Sequence, residues 1–369
     1  MDHSFTPVIM AILAKRFGKA AEGVFAASPL LQYLNIKTRS ASRGSKARSA
    51  FGNHFALYVL VEDYVQKGFV KSGNYRDYEG AKFSDLFARQ RELPFGDKLQ
   101  NHHLNHRLNE EFKKYFPACP LLPILRNPDT RRYWIAEGLL LVKTASKTCN
   151  IAEAVSEIIL AYIRQKQQAF TEFIRDCEKL ATLSAKKPDE ARTFIASLLQ
   201  PHVDARVFEI TSFAILKYFY GTQRIFWGWT EDDIEEDPLV LYKTGRTNAN
   251  DGGIDFVMKP LGRFFQVTET VDARKYFLDI DKIHRFPITF VVKSTDTVET
   301  IRARVEDQAL ATYNIRAVVK RYMDCIEEII NIPSLLERFD AVVADGGLPE
   351  VIREIVKQSK VEFNIDSGE

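Results

Sequence analysis

The chain has 369 residues and a mass of 42.3 kDa, room for two domains or for one large domain with helical additions. Hydrophobic residues at 46% and charged residues at 27% exclude wholesale disorder. With 51 Lys and Arg against 49 Asp and Glu, any polyanion-binding surface must come from local clustering.

No apolar run approaches the roughly 20 residues of a membrane span. The first residues lack the order of a signal peptide, because Asp2 leads and Lys15 and Arg16 follow the apolar stretch. Four scattered cysteines (Cys119, Cys149, Cys177, Cys325) form no CxxC pair and read as free thiols of a reducing cytoplasm. Residues 1–200 read as a mainly helical region, interrupted at 117–128, where four prolines require a loop or extended crossing. The apolar stripe of Val155, Ile158, Ile159, Tyr162, Ile163, Phe170 and Phe173 predicts a long helix over 151–180. After Pro201 the pattern changes. A very apolar helix is expected over Val207–Phe219, then an acidic loop at 230–238. Three short strands follow at Leu239–Lys243, Ile254–Met258 and Phe264–Thr268, then a helix over Val271–Ile283 and a strand at 287–293. That order is α-β-β-β-α-β. From Ile301 to Ile330 apolar residues recur at helical spacing, so the tail, 296–369, is expected to be helical. Trp227 and Trp229 read as packing residues. His102 and His106 have i, i+4 spacing but no third ligand nearby, so they read as a polar helix face.

The chemistry concentrates in NANDGGIDFVMKPLGRFFQVTET, 248–270. Asp255 opens one strand directly after Gly252-Gly253, and Gln266 lies in the middle of the next. Antiparallel pairing places such residues side by side. A carboxylate and an amide oxygen can then share a hard cation such as Mg²⁺. Glu209 supplies a second carboxylate, as the only charged residue between Val207 and Leu216 on an apolar helix. Burial there demands a cation or donors nearby.

RVFE with its apolar helix, then DGGID, then FFQVT resembles the PD-(D/E)XK nuclease superfamily in its Mrr-like variant, over roughly 205–295, about a quarter of the chain. The flanking segments 46–64, 94–112 and 131–140 look like those of large type II restriction endonucleases of the ApaLI-like or HaeII-like groups. The resemblance implies an α+β chain with a nuclease core at 201–295. It implies Mg²⁺-dependent hydrolysis of double-stranded DNA, with Mn²⁺ able to substitute. Asp255 would be the principal metal ligand, Glu209 the helix carboxylate, and Gln266 the residue in the usual Glu position. Thr268 stands where the pattern has its lysine. Glu269, Lys275 or Arg274, and Lys259 are the candidates to replace it. Lys259 lies four residues along the strand from Asp255, roughly 13 Å away at ~3.3 Å each, so Lys275 is preferred.

The stretch 37–54 holds Lys37, Arg39, Arg43, Lys46 and Arg48 with no acid between Glu22 and Glu62, and is the best local candidate for contacts to DNA phosphates. Arg246, Asn248 and Asn250 could read base edges near the proposed metal. The expected protein is a cytoplasmic, homodimeric type II restriction endonuclease serving phage defence, with a cognate DNA methyltransferase as a genomic neighbour. The alternatives are a nuclease acting on modified DNA or RNA, a non-catalytic DNA-binding protein that kept the fold, and a helical scaffold.

Overall fold

The computed structural model describes residues 2–39, 47–71, 74–96, 99–145, 147–183, 187–244 and 254–363. The chain is mixed α+β and divides into two compact units, Met1–Phe170 and Thr171–Glu369. The division falls inside the helix Ala152–Leu183 rather than near residue 200. That helix is unbroken in sequence pattern, so composition gave no boundary there. No described helix is long and apolar enough to cross a membrane.

The first unit is mainly helical. Its helix Ala47–Gln66 buries Phe51, Phe55 and every residue from Ala56 to Val61. A small antiparallel sheet stands beside it, with strand Arg132–Ile135 between Ala81–Lys82 and Ile124–Asn127. The last of these lies between Pro123 and Pro128, at the end of the proline-rich 117–128 segment, whose earlier residues form turns.

The second unit carries the expected helix, three strands, helix and strand, with an unforeseen β-hairpin inserted after the first helix. An acidic loop was expected there over 230–238, and Glu235–Pro238 is instead a strand. Helix α1 (Ala205–Gly221) starts at Asp204, whose side chain accepts the Arg206 N–H at 2.8 Å and caps it. A hairpin, β1 (Arg224–Trp227) with β2 (Glu235–Pro238), follows and forms its own two-stranded sheet. Then come β3 (Val240–Lys243), β4 (Phe256–Lys259), β5 (Arg263–Thr268), α2 (Ala273–Lys282) and β6 (Ile288–Val292). Strands β3, β4 and β5 form a meander, and β5 and β6 are parallel across the α2 crossover.

The tail corrects the helical expectation. Helix α3 (Val298–Tyr313) stops at Asn314, which takes a left-handed conformation (φ 53°), and α4 (Arg316–Met323) follows. Residues Ile326–Ile330 are a strand, β7, paired in parallel with β6. The sheet order is thus β7-β6-β5-β4-β3. The core does not end at 295, because β7 belongs to its sheet. Ile326, Ile329 and Ile330 fit a helical stripe in one dimension, yet their β-branching suits a pleated surface. Helices α5 (Ile332–Ala344) and α6 (Leu348–Phe363) close the chain.

The two sheet faces are covered differently. On one, Ile288, Phe290 and Val292 pack with Tyr276, Phe277 and Ile280 of α2 and with Ile301 and Val305 of α3. On the other, Phe256 meets Phe213 of α1 and Phe265 meets Tyr220. Helix α1 is buried through almost its whole length and packs on β3, α5 and α6. Trp227 is half-buried, but Trp229 is 88% exposed and packs into no core, contrary to expectation.

Candidate active site

The register brings one end of the sheet together. Lys243 pairs with Phe256, and Phe256 with Phe265. The end of β3, the start of β4 and the end of β5 are therefore neighbours, and parallel pairing adds the end of β6. Glu209 lies in the second turn of α1, which packs on β3.

Asp255 sits just before β4. Its backbone N–H donates to the Phe265 carbonyl at 3.1 Å, and its Oδ2 accepts the Val267 N–H at 2.7 Å. The carboxylate thus continues the β4–β5 ladder where the backbone leaves it. Burial, and then the negative charge of Glu209, push the Asp255 carboxyl well above the usual carboxylate range. The two carboxylates foreseen from the sequence therefore share one electrostatic environment.

Lys243 completes it. Its ammonium lies 2.9 Å from Glu209 Oε1, with the two side chains only 9% and 6% exposed, and its charge opposes the rise at Asp255. This residue escaped the sequence reading. The only signal for it was a lysine closing an apolar strand, one register step from the strand that Asp255 opens.

Gln266 leans its amide toward the Val267 carbonyl (Nε2 to O, 3.4 Å), while its buried Oε1 has no hydrogen-bond partner among the described residues. Thr268 turns inward on its own chain: its hydroxyl donates to the Thr270 carbonyl at 3.0 Å. Glu269 follows the strand and forms an ion pair with buried Lys293 at 2.9 Å. The same ammonium donates to the Val203 carbonyl and lies 5.8 Å from the Phe208 ring. Glu269 is therefore engaged by a lysine, an arrangement no local motif announces.

The proposed replacements for the motif lysine stand elsewhere. Lys275 is exposed and donates to Thr270 Oγ1 at 3.2 Å. Arg274 is also exposed. Lys259, at the far end of β4, lies 5.3 Å over the Tyr242 ring.

Among the expected DNA contacts, Lys37 is corrected. Its ammonium is paired with Glu111 at 2.6 Å and its side chain is only 10% exposed, because Glu111, 74 residues away in sequence, folds against it. Arg39 is exposed. Arg43, Lys46, Arg246, Asn248 and Asn250, with Asp251 and the side chain of Arg48, lie outside the described residues.

Among the described residues no three His, Cys, Asp or Glu side chains gather as a metal cage. The oxygen donors do suit a hard cation. Two carboxylates in mutual repulsion gain from one, and the orphaned Gln266 Oε1 can accept one. Mg²⁺ needs only one or two carboxylates, with water and phosphate completing its octahedron. No protein-family model, curated protein or solved structure matches the chain.

Proposed function

We propose that this chain is a divalent-cation-dependent endonuclease of the PD-(D/E)XK type, cleaving double-stranded DNA at a specific sequence as a homodimeric type II restriction enzyme. One observation carries the reading. The buried Glu209 carboxylate and the partly buried Asp255 carboxylate are held with Lys243 at one end of the five-stranded sheet. Such a cluster costs stability and is retained where a cation and a polyanion are to be met.

In the proposed mechanism Asp255, Glu209 and Gln266 Oε1 would hold Mg²⁺ or Mn²⁺. The cation would supply Lewis-acid chemistry, making water a stronger nucleophile near neutral pH and offsetting charge on the phosphate. Asp255 must be deprotonated to serve, and its raised pKa makes cation affinity increase with pH across that ionisation. Lys243 takes the place of the motif lysine: its ammonium, fixed by Glu209, donates hydrogen bonds to the attacking water or to a non-bridging phosphate oxygen. Lys293 and Glu269 brace the ends of β5 and β6 and keep Val267 in register with Asp255.

The test is incubation of the purified protein with long unmodified phage DNA and Mg²⁺. Discrete fragments, absent with Asp255→Asn, are the expected result. Salt-dependent DNA binding without cleavage in Mg²⁺ or Mn²⁺ would assign the chain to the non-catalytic reading. In that reading the Lys243 pair and the Val267 hydrogen bond are simply the carboxylates' structural partners.

A further inference from the structure

The hairpin between α1 and β3 exposes what a folded chain ordinarily hides. Phe226 is 74% exposed, Trp229 88% and Ile234 53%. These side chains sit on a two-stranded ribbon that pairs with no other described strand, so both of its outer edges lack described strand partners.

The tip of this ribbon is built rather than slack. A Cβ at Gly228 would lie 2.5 Å from the Asp233 carbonyl oxygen, so only glycine allows the two backbones to approach this closely. Asp233 N–H donates to the Thr230 carbonyl at 3.2 Å, and the Thr230 hydroxyl donates to Asp233 Oδ2 at 2.8 Å. Trp227 donates its indole N–H to Asp237 at 2.6 Å and meets Trp229 edge-on, with ring centroids 5.9 Å apart. A glycine and a set of hydrogen bonds thus fix the tip that carries Trp229.

Charge decides among the possible occupants. From Arg224 to Pro238 the ribbon has six carboxylates (Glu231, Asp232, Asp233, Glu235, Glu236, Asp237) against the single cation of Arg224. DNA is repelled by such a surface. A second copy of the same ribbon, meeting it across a twofold axis, is repelled equally. Exposed indole faces beside carboxylates suit guanidinium groups, which stack on the ring and pair with the acids together. An open strand edge suits an extended backbone.

We infer that the ribbon Arg224–Pro238 is a docking surface for an extended, arginine-rich protein segment. The inference is independent of the nuclease reading, although the ribbon connects the two elements that carry Glu209 and Lys243.

The test uses the full chain and a short peptide of alternating Arg and Ser, with a Glu-Ser peptide as control, followed by tryptophan fluorescence and calorimetry. The Arg-Ser peptide should bind saturably and more weakly as salt rises. Trp229→Ala should weaken it by about fivefold, and the pair Glu235→Gln with Glu236→Gln by about as much. A Lys-Ser peptide should bind less tightly, having no plane to stack. Circular dichroism identical to the parent keeps the variants interpretable, and Phe226→Ala gives an independent probe should Trp229→Ala misfold. Absence of saturable Arg-Ser binding, or binding that neither aromatic substitution weakens, overturns the inference. So does sedimentation showing a dimer that Trp229→Ala converts to monomer, because the occupant would then be a second copy.

Discussion

Each unit of this protein buries a polar cluster, and the two are built on opposite principles. In the first unit Asn53 is the hub. Its amide donates to Tyr33 Oη at 2.9 Å and to Glu111, its carbonyl oxygen meets His103 Nδ1 at 2.9 Å, and Glu111 holds Lys37. Burial lowers His103 to about 3, so it stays neutral, and burial with Glu111 raises the Tyr33 hydroxyl, which stays protonated. The one anion meets one cation and the remaining groups are neutral donors and acceptors. In the second unit the Glu209 and Asp255 carboxylates lie with Lys243, Asp279 adds to the negative charge on Asp255, and among the described residues Gln266 Oε1 has no hydrogen-bond partner. A closed network fixes a fold. An open one with excess like charge weakens the fold and is relieved by whatever binds.

The sharpest way to break this contrast is Asp255→Asn. Asparagine keeps an oxygen for the Val267 N–H and removes the charge. Cleavage should fall by at least ~10³-fold if the proposed function holds, while stability at neutral pH should rise by about 1 kcal/mol. The sign follows from proton linkage. Asp255 titrates above its unfolded value, so over that window the unfolded chain binds fewer protons, and stability falls as pH rises from the unfolded to the folded pKa. Urea unfolding at a series of pH values should show the variant's profile flatter than the parent's. Mg²⁺ should raise the parent's melting temperature and leave the variant's unchanged. A variant less stable than the parent at every pH would mean the carboxylate is needed for the fold itself.

The opposite outcome is expected in the first unit. Glu111→Ala strands Lys37 and removes an acceptor from Asn53, so it should cost about 3 kcal/mol. Chemical denaturation checks this, and Mg²⁺ should shift neither form's response relative to the other. Lys243→Met lies between the two. It removes the ammonium 2.9 Å from Glu209 that also opposes the rise at Asp255 and should cost about 2 kcal/mol at neutral pH, less in acid. Combined with Asp255→Asn it should recover about 1 kcal/mol of that loss, because one of the repelling charges is gone.

The contrast also marks what a sequence can disclose. Helix α1, strands β3 to β5, α2 and β6 were legible because each announces itself locally, through the apolar stretch of α1, the Gly-rich and Pro-Gly turns, and the β-branched run of β6. The β1–β2 hairpin was not, its second strand being acidic enough to read as a loop. Glu209 was legible because a lone carboxylate on an apolar helix is an expensive exception. Lys243 and Lys293 were not, since each finds its carboxylate through strand register or helix packing across tens of residues. Lys37 looked available for phosphate because its partner, Glu111, is remote in the chain. Strand β7 was hidden because its isoleucines satisfy two periodicities, and only pairing with β6 chooses between them.

The smallest expected effect falls on the residue the sequence favoured most as the substitute for lysine. Lys275 is exposed, and its one hydrogen bond, to Thr270 Oγ1 at 3.2 Å, can be replaced by water. Its charge reaches Asp279 and helps to hold that carboxyl down against burial, a surface interaction screened by salt. Lys275→Ala should therefore change stability by less than about 0.5 kcal/mol and leave cleavage within about threefold of the parent. A loss of about a hundredfold in kcat at unchanged stability would reverse the assignment. The cation facing the phosphate would then come from the first turn of α2, and the Lys243–Glu209 pair would become a closed structural bridge like that of Lys37 and Glu111.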